Sequence, residues 1–295
     1  MPTRPTMILL RNALALSFLA ALPFQAASAY DTYDLEIGDE VIQAKKTSIK
    51  CTDGGFEGFS VRRLVDCHSA KIVEFRYEEV EKKVIKFEID PFDKQISQGV
   101  RAELRDMHEA ANGEEIWYRF ATLIPKDAPL ESKHRLVLAQ WHERMREGVP
   151  SLRPPLSHRL WDGRFVVTLW NNWRVKERGR DGDGEILFDI PEIERGVFYD
   201  FVYKVKWADD AEGEILGWMR KCPALSVDCG GGAPWQQIVD YQGSTGYEDE
   251  VIKSYYFKFG LYTVSDFDVP FTAFHKNYRT GENAEEVDAT DPIFH

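Results

Sequence analysis

Apolar and polar residues alternate with period two over much of the chain. Residues 84–89, 100–104, 116–123, 136–141, 165–170, 198–207, 214–219 and 254–264 are rich in β-branched and aromatic side chains, a pattern that predicts strands. Turn residues separate them: Asp90-Pro91, Asn112-Gly113, Asp162-Gly163 and Glu212-Gly213. Asp162-Gly163 lies between residues 159–161 and 165–170 and predicts a tight hairpin. Residues 71–83 are charge-rich and fit either a helix or a pair of strands. Long amphipathic helices are scarce. Many short strands with regular turns predict an all-β sandwich or barrel rather than an α/β fold. No internal repeat or low-complexity linker divides the chain. One domain is expected over residues 30–275, followed by an acidic, polar tail over 276–295, loosely ordered or packed along the surface.

The first 29 residues fall outside this pattern. Arg4 and Arg11 flank the start, an apolar run follows over 13–22, and Ala27-Ser28-Ala29 is a small-x-small sequence. Together they predict a secretory signal peptide cut after Ala29, hence a secreted or periplasmic protein. The run is short for a membrane span, which needs about 20 apolar residues, so no membrane association is expected after cleavage.

Composition and charge narrow the picture further. The chain has 295 residues, 43% hydrophobic and 29% charged, as an ordinary soluble domain would. Its four cysteines, Cys51, Cys67, Cys222 and Cys229, all lie beyond Ala29. An even count in an oxidising compartment predicts two disulfides. Of the three connectivities, the short-loop pairs Cys51–Cys67 and Cys222–Cys229 are favoured. No C-x-x-C spacing or histidine pair suggests a metal. The formal net charge is −12, and loss of the two leading arginines would leave −14, which argues against nucleic acid as a partner. Positive charge is nonetheless concentrated locally, at Arg101, Arg105, Arg144, Arg146, Arg153, Lys253 and Lys258, and the local field decides what enters a cleft.

Three segments carry the candidate chemistry: Arg101-Ala102-Glu103-Leu104, Gln140-Trp141-His142 and Tyr256-Phe257-Lys258-Phe259-Gly260-Leu261-Tyr262. In a strand, alternate side chains share a face. Arg101, Glu103 and Arg105 therefore face one way, as do Gln140 and His142, and Tyr256, Lys258 and Tyr262. Phe257, Phe259 and Leu261 point to the core. Gly260, on the polar face, suggests room for a ligand. Each segment alone reads equally well as an ordinary exposed strand face. Side by side they would gather groups able to bind a carboxylate, remove a proton and return one.

In that combination and order, the chain resembles the jelly-roll polysaccharide lyases: the heparin lyase I type, the glucuronan lyases and the family seven alginate lyases. Their R-x-E-L, Q-x-H and Y-F-K-x-G-x-Y strands are matched at Arg101–Leu104, Gln140–His142 and Tyr256–Tyr262. The resemblance covers roughly residues 84–264 and implies a β-jelly-roll sandwich of two antiparallel sheets. Trp141 stands where alginate lyases carry a β-branched residue, and Phe259 where they carry a small one. A glucuronate-type polymer is therefore the favoured anionic substrate.

The implied reaction is β-elimination across a uronic acid. Removing the weakly acidic C5 proton builds an enolate-like dianion, which must be held by positive or hydrogen-bonding groups. Arg101 and Gln140 suit that task, His142 suits the base, and Tyr262 suits the proton donor. Tyr262 could instead do both jobs, with Lys258 and Arg101 near it. Glu103, Arg105, Lys258, Tyr256, Trp170 and Asn172 are candidate substrate contacts, with Trp173 as a further groove residue. No cofactor is required. Asp181-Gly182-Asp183-Gly184-Glu185 offers oxygen ligands to calcium, although an exposed turn reads as well. A monomer is expected. Two other readings compete: a non-catalytic carbohydrate-binding sandwich, and a laminarinase-like hydrolase using Glu88-Ile89-Asp90-Pro91-Phe92-Asp93. Pro91 would interrupt the strand in the second, and retaining hydrolysis needs carboxyls about 5 Å apart.

Overall fold

A computed structural model describes residues 32–34, 41–43, 50–52, 59–62, 69–77, 80–96, 99–130, 135–172, 184–222, 229, 232–264 and 267–294. The predicted signal peptide, Cys67, Trp173 and residues 181–183 of the acidic loop lie outside them.

Apart from two short 3₁₀ turns, the regular elements among these residues are strands. In chain order they are β1 (Thr32–Asp34), β2 (Val41–Gln43), β3 (Lys50–Thr52), β4 (Phe59–Arg62), β5 (Ala70–Tyr77) and β6 (Val80–Ile89). Then come β7 (Val100–Asp106), β8 (Glu115–Leu123), β9 (Arg135–Met145), β10 (Leu156–Trp161), β11 (Arg164–Leu169) and β12 (Glu185–Ile190). The last five are β13 (Phe198–Lys206), β14 (Glu214–Lys221), β15 (Gln236–Gln242), β16 (Ile252–Thr263) and β17 (Phe271–Gly281). They form two large antiparallel sheets. The outer sheet has the order β1-β5-β6-β17-β8-β13-β14-β15, and the inner sheet β12-β11-β10-β9-β16-β7-β4. β2 and β3 make a separate ribbon. This is the expected all-β jelly-roll sandwich.

The core lies between the sheets and is built by the period-two pattern. Trp141 is fully buried, with Phe257 4.8 Å and Tyr203 5.2 Å away between ring centroids. Phe120 of the outer sheet meets Phe257 of the inner sheet at 5.0 Å. Aromatic contacts of this kind add about 1 kcal/mol each beyond the area they bury. His158 is also in this core, its Nε2 2.8 Å from the Tyr203 hydroxyl. Burial pushes its pKa down to about 3, so it is a neutral packing residue. His275 is a second case, likewise buried and lowered to about 3.

Several local expectations meet their outcome here. Residues 71–83 form two strands, not a helix. Asp162 and Gly163 make the tight β10–β11 hairpin, both with positive φ (52° and 76°). Cys222 and Cys229 are bonded; the side chains of the other expected pair are not among those described. The tail does not hang free. β17 continues to Gly281, and Trp117, Trp218, Val287 and Phe294 pack together on the far side of the outer sheet.

Candidate active site

The topology brings the three polar segments together. β16 is an interior strand of the inner sheet, with β9 on one side and β7 on the other. Lys258 stands between Gln140 and Arg105, Gly260 opposite Glu103, Tyr262 opposite Arg101, and Tyr256 opposite His142. The partners from the opposite face, Ala102, Leu104, Trp141, Phe257, Phe259 and Leu261, all lie in the core. The polar set therefore occupies the single face of the inner sheet that turns away from the outer sheet.

Glu103 is the hub. Lys258 Nζ donates to its Oε2 at 3.3 Å and Arg101 Nη1 at 3.4 Å, while Gln140 Nε2 donates to Oε1. Burial alone would push this carboxyl up. Lys258, Arg101, the Gln140 hydrogen bond and His142 outweigh it and hold the carboxyl below its ordinary range. Glu103 is thus an anion that receives three donors. At 3% exposed it is as buried as the donors around it, Arg101 at 3%, Gln140 at 1% and Lys258 at 5%, so burial does not set the four apart as substrate contacts.

The His142 and Tyr256 rings stack with centroids 5.5 Å apart and planes 8° from parallel. The Arg105 guanidinium sits over the Tyr256 ring at 3.7 Å and is itself paired with Glu109. Glu109 also takes Arg144 at 3.0 Å and the Ser254 hydroxyl at 2.6 Å. His142 Nδ1 lies 3.0 Å from the Glu143 backbone carbonyl oxygen and 3.0 Å from Glu143 Oε2. A proton held on Nδ1 by that carbonyl leaves Nε2 as the ring's acceptor. Both rings are partly exposed, unlike the buried Glu103, Gln140 and Lys258 beside them.

Other expected contacts fall elsewhere. Tyr262 is six residues along β16 from Tyr256, about 20 Å of extended strand, with Arg101 over its ring at 3.9 Å. Trp170 is a core residue. The chain leaves the strand after Leu169, Trp170 N–H donates to the Pro155 carbonyl, and Arg153 covers the ring at 4.9 Å. Asn172 is 8% exposed; its N–H donates to the Gly246 carbonyl and its Oδ1 accepts from Glu248 N–H, so it pins a loop. Gly260 does not open space for a ligand either. Its φ is +136°, and a Cβ there would lie 2.1 Å from the Ala102 carbonyl oxygen. It serves the bulge between Phe259 and Tyr262. Glu88 sits on β6 of the outer sheet beside Lys86 at 2.9 Å, and Asp90 with Asp93 closes a turn. The hydrolase-like acids are therefore in the wrong sheet to serve this face.

The sequence from 64 to 281 matches the polysaccharide lyase family model. With that match and the fold, the chain belongs to the polysaccharide lyase family and is a polysaccharide lyase. No curated protein matches the sequence significantly. Among solved structures, the endo-β-1,4-glucuronan lyase of the fungus Trichoderma reesei is similar at a TM-score of 0.53 and 16% identity, over 80% of this chain and 95% of that one. The family 7 alginate lyase A1-II′ is similar at a TM-score of 0.45 and 15% identity, over 71% and 83%. At this identity the likeness to the glucuronan lyase speaks to fold alone. Among the described residues no helix is long and apolar enough to cross a membrane.

Proposed function

We propose that this chain cleaves a uronate polysaccharide by β-elimination, with a glucuronate-type polymer as substrate and an extracellular or periplasmic site of action. The observation that carries the reading is the cross-strand pair of His142 and Tyr256, stacked at 5.5 Å beside the donor cluster around Glu103. His142 Nε2 takes the C5 proton. The electron pair forms the C4=C5 bond, the C4–O bond breaks, and the leaving oxygen receives the Tyr256 proton. Charge that builds on the substrate carboxylate is met by Lys258, Gln140 and Arg101, already oriented by Glu103; preorganised donors of this kind need no rearrangement during reaction. The Arg105 guanidinium over the Tyr256 ring stabilises negative charge that grows on its oxygen.

This assignment moves the proton donor from Tyr262, the residue expected from sequence, to Tyr256. Tyr262 stands opposite Val137, five residues along β9 from His142, or about 16 Å, beyond the reach of one sugar linkage. The glucuronan lyase likeness supports the substrate class, and the Cys222–Cys229 bond supports an oxidising compartment.

The test is ultraviolet absorbance of the unsaturated product on glucuronan, alginate, heparin, heparan sulfate and acidic exopolysaccharides. We expect a rising signal on glucuronan, lowered about 10³-fold in His142→Ala and in Tyr256→Phe, with Tyr262→Phe affected far less. Equal loss in Tyr262→Phe and none in Tyr256→Phe would overturn the assignment. New reducing ends without absorbance would exclude elimination.

A further inference from the structure

The same face of the inner sheet carries a second feature at its other end. On β10, Leu156, His158 and Leu160 pack inward, so Ser157, Arg159 and Trp161 share the face of Gln140, whose cross-strand partner is Ser157. On β11, Phe165, Val167 and Leu169 pack inward, placing Arg164 and Val166 outward beside Trp161 and Arg159. Trp161, Arg164, Val166 and Ile186, with Asp162, line a cavity of about 160 Å³. The Arg135 guanidinium lies over the Trp161 ring at 3.9 Å, from the β9 side. The cavity lies on the β11 and β12 side of that ring. Ile186 is 44% exposed and offers apolar contact surface at the cavity. Arg164 is bound to Asp189 through Nε and Nη2; a guanidinium has five N–H donors, so its Nη1 edge keeps donors for another acceptor.

From this we infer a remote subsite that holds a uronate residue of the same polymer, with the sugar ring against Trp161, Val166 and Ile186 and its carboxylate on Arg164. The proposal rests on the uronate-lyase reading above. An aromatic wall gives contact area; Asp189 neutralises the guanidinium and Asp162 lines the cavity, so selection of a carboxylate comes from the N–H donors that Asp189 leaves open and not from net charge. Trp161 and Gln140 are separated by five residues along the strand direction, about 16 Å. A short oligosaccharide held at His142 and Tyr256 therefore cannot reach the cavity, and a longer one can. The enzyme would act preferentially on long chains.

The experiment is calorimetric binding of glucuronan oligosaccharides, from disaccharide to octasaccharide, to the turnover-deficient His142→Ala protein with and without Trp161→Ala or Arg164→Gln. Affinity should rise with length and then step up, and each second substitution should remove about tenfold from the longest ligand and nothing from the shortest. Thermal unfolding of each variant separates lost binding from lost fold, and Arg164→Gln, on an exposed side chain, guards against a Trp161 variant that does not fold. A length dependence unchanged by both substitutions, an equal loss at every length, or no binding at any length would each overturn the subsite. Failure of the uronate reading shows separately, as wild-type protein that releases no unsaturated product from any polymer in the panel.

Discussion

Among the described residues, each sheet holds a buried carboxylate gripped by two cations, and the two lie in different surroundings. In the outer sheet, Asp200 is fully buried and receives Arg119 and Arg220, each at 2.9 Å. In the inner sheet, Glu103 is nearly as buried and receives Lys258 and Arg101. The surroundings of the cations make the difference. Arg220 lies 4.4 Å from the Trp235 ring, and Arg119 also donates to the Asp288 carbonyl at 2.7 Å, so the cluster around Asp200 ties the C-terminal segment to the sheet. The cations of Glu103 lie in the row next to two partly exposed rings that can exchange protons. A buried ion pair is thus no mark of an active site by itself; the chemistry of the neighbours decides.

Neutralising each carboxylate breaks the comparison most sharply. In Glu103→Gln, elimination should fall by about two orders of magnitude, because Gln140 and Lys258 lose the anion that aims them. In Asp200→Asn, activity per folded molecule should stay near wild type while unfolding free energy drops by about 3 kcal/mol, the scale for breaking one side of a buried pair. Steady-state kinetics paired with denaturant unfolding reads both. Equal catalytic loss in the two variants would erase the distinction.

Acid should strip stability from the core before it reaches Glu103. His158 and His275 have folded-state pKa values near 3, below the ordinary 6.5. Below pH 6.5 the unfolded chain binds protons that the folded core refuses, so stability contributed by these residues is present above pH 6.5 and is lost toward pH 3. Glu103, lowered from 4.5, adds its loss only below that value. Midpoints of urea unfolding should therefore begin to fall between pH 6.5 and 5, and His158→Gln should flatten that limb. A flat profile down to pH 5 would contradict the buried neutral state.

The smallest effect concerns the exposed Arg279–Asp288 pair, 2.8 Å apart with both side chains more than half exposed. Arg279→Ala should cost less than about 1 kcal/mol. A larger cost would mean that the tail is held from its edge rather than from Asp200.

Much of this was legible from alternation alone. The segments containing Arg101, Gln140 and Lys258 are strands with the expected faces, and they are neighbours. Pairing register was not legible, because it depends on residues more than a hundred positions apart. Tyr256 and Tyr262 are equivalent in a local pattern, and only the position of β16 against β9 tells them apart. Trp161 and Trp170 posed the same problem. Alternation assigns both to the open face, but the chain turns in after Leu169 and buries Trp170. β17 is not legible from alternation, because a bulge between Lys276 and Arg279, with Asn277 at φ 55°, resets the pattern midway. That bulge is also why residues past 275 read as a tail.

The place of β16 between β9 and β7 has a consequence for how the molecule comes into being. Its two neighbours, β7 and β9, leave the ribosome long before it does, and neither can complete the proton-handling pair without it. Contacts of such long sequence separation close late and slowly. A partly synthesised chain would expose unpaired edges where β16 belongs, and with them a hazard of wrong pairing. It would also be chemically silent until its final strands arrived.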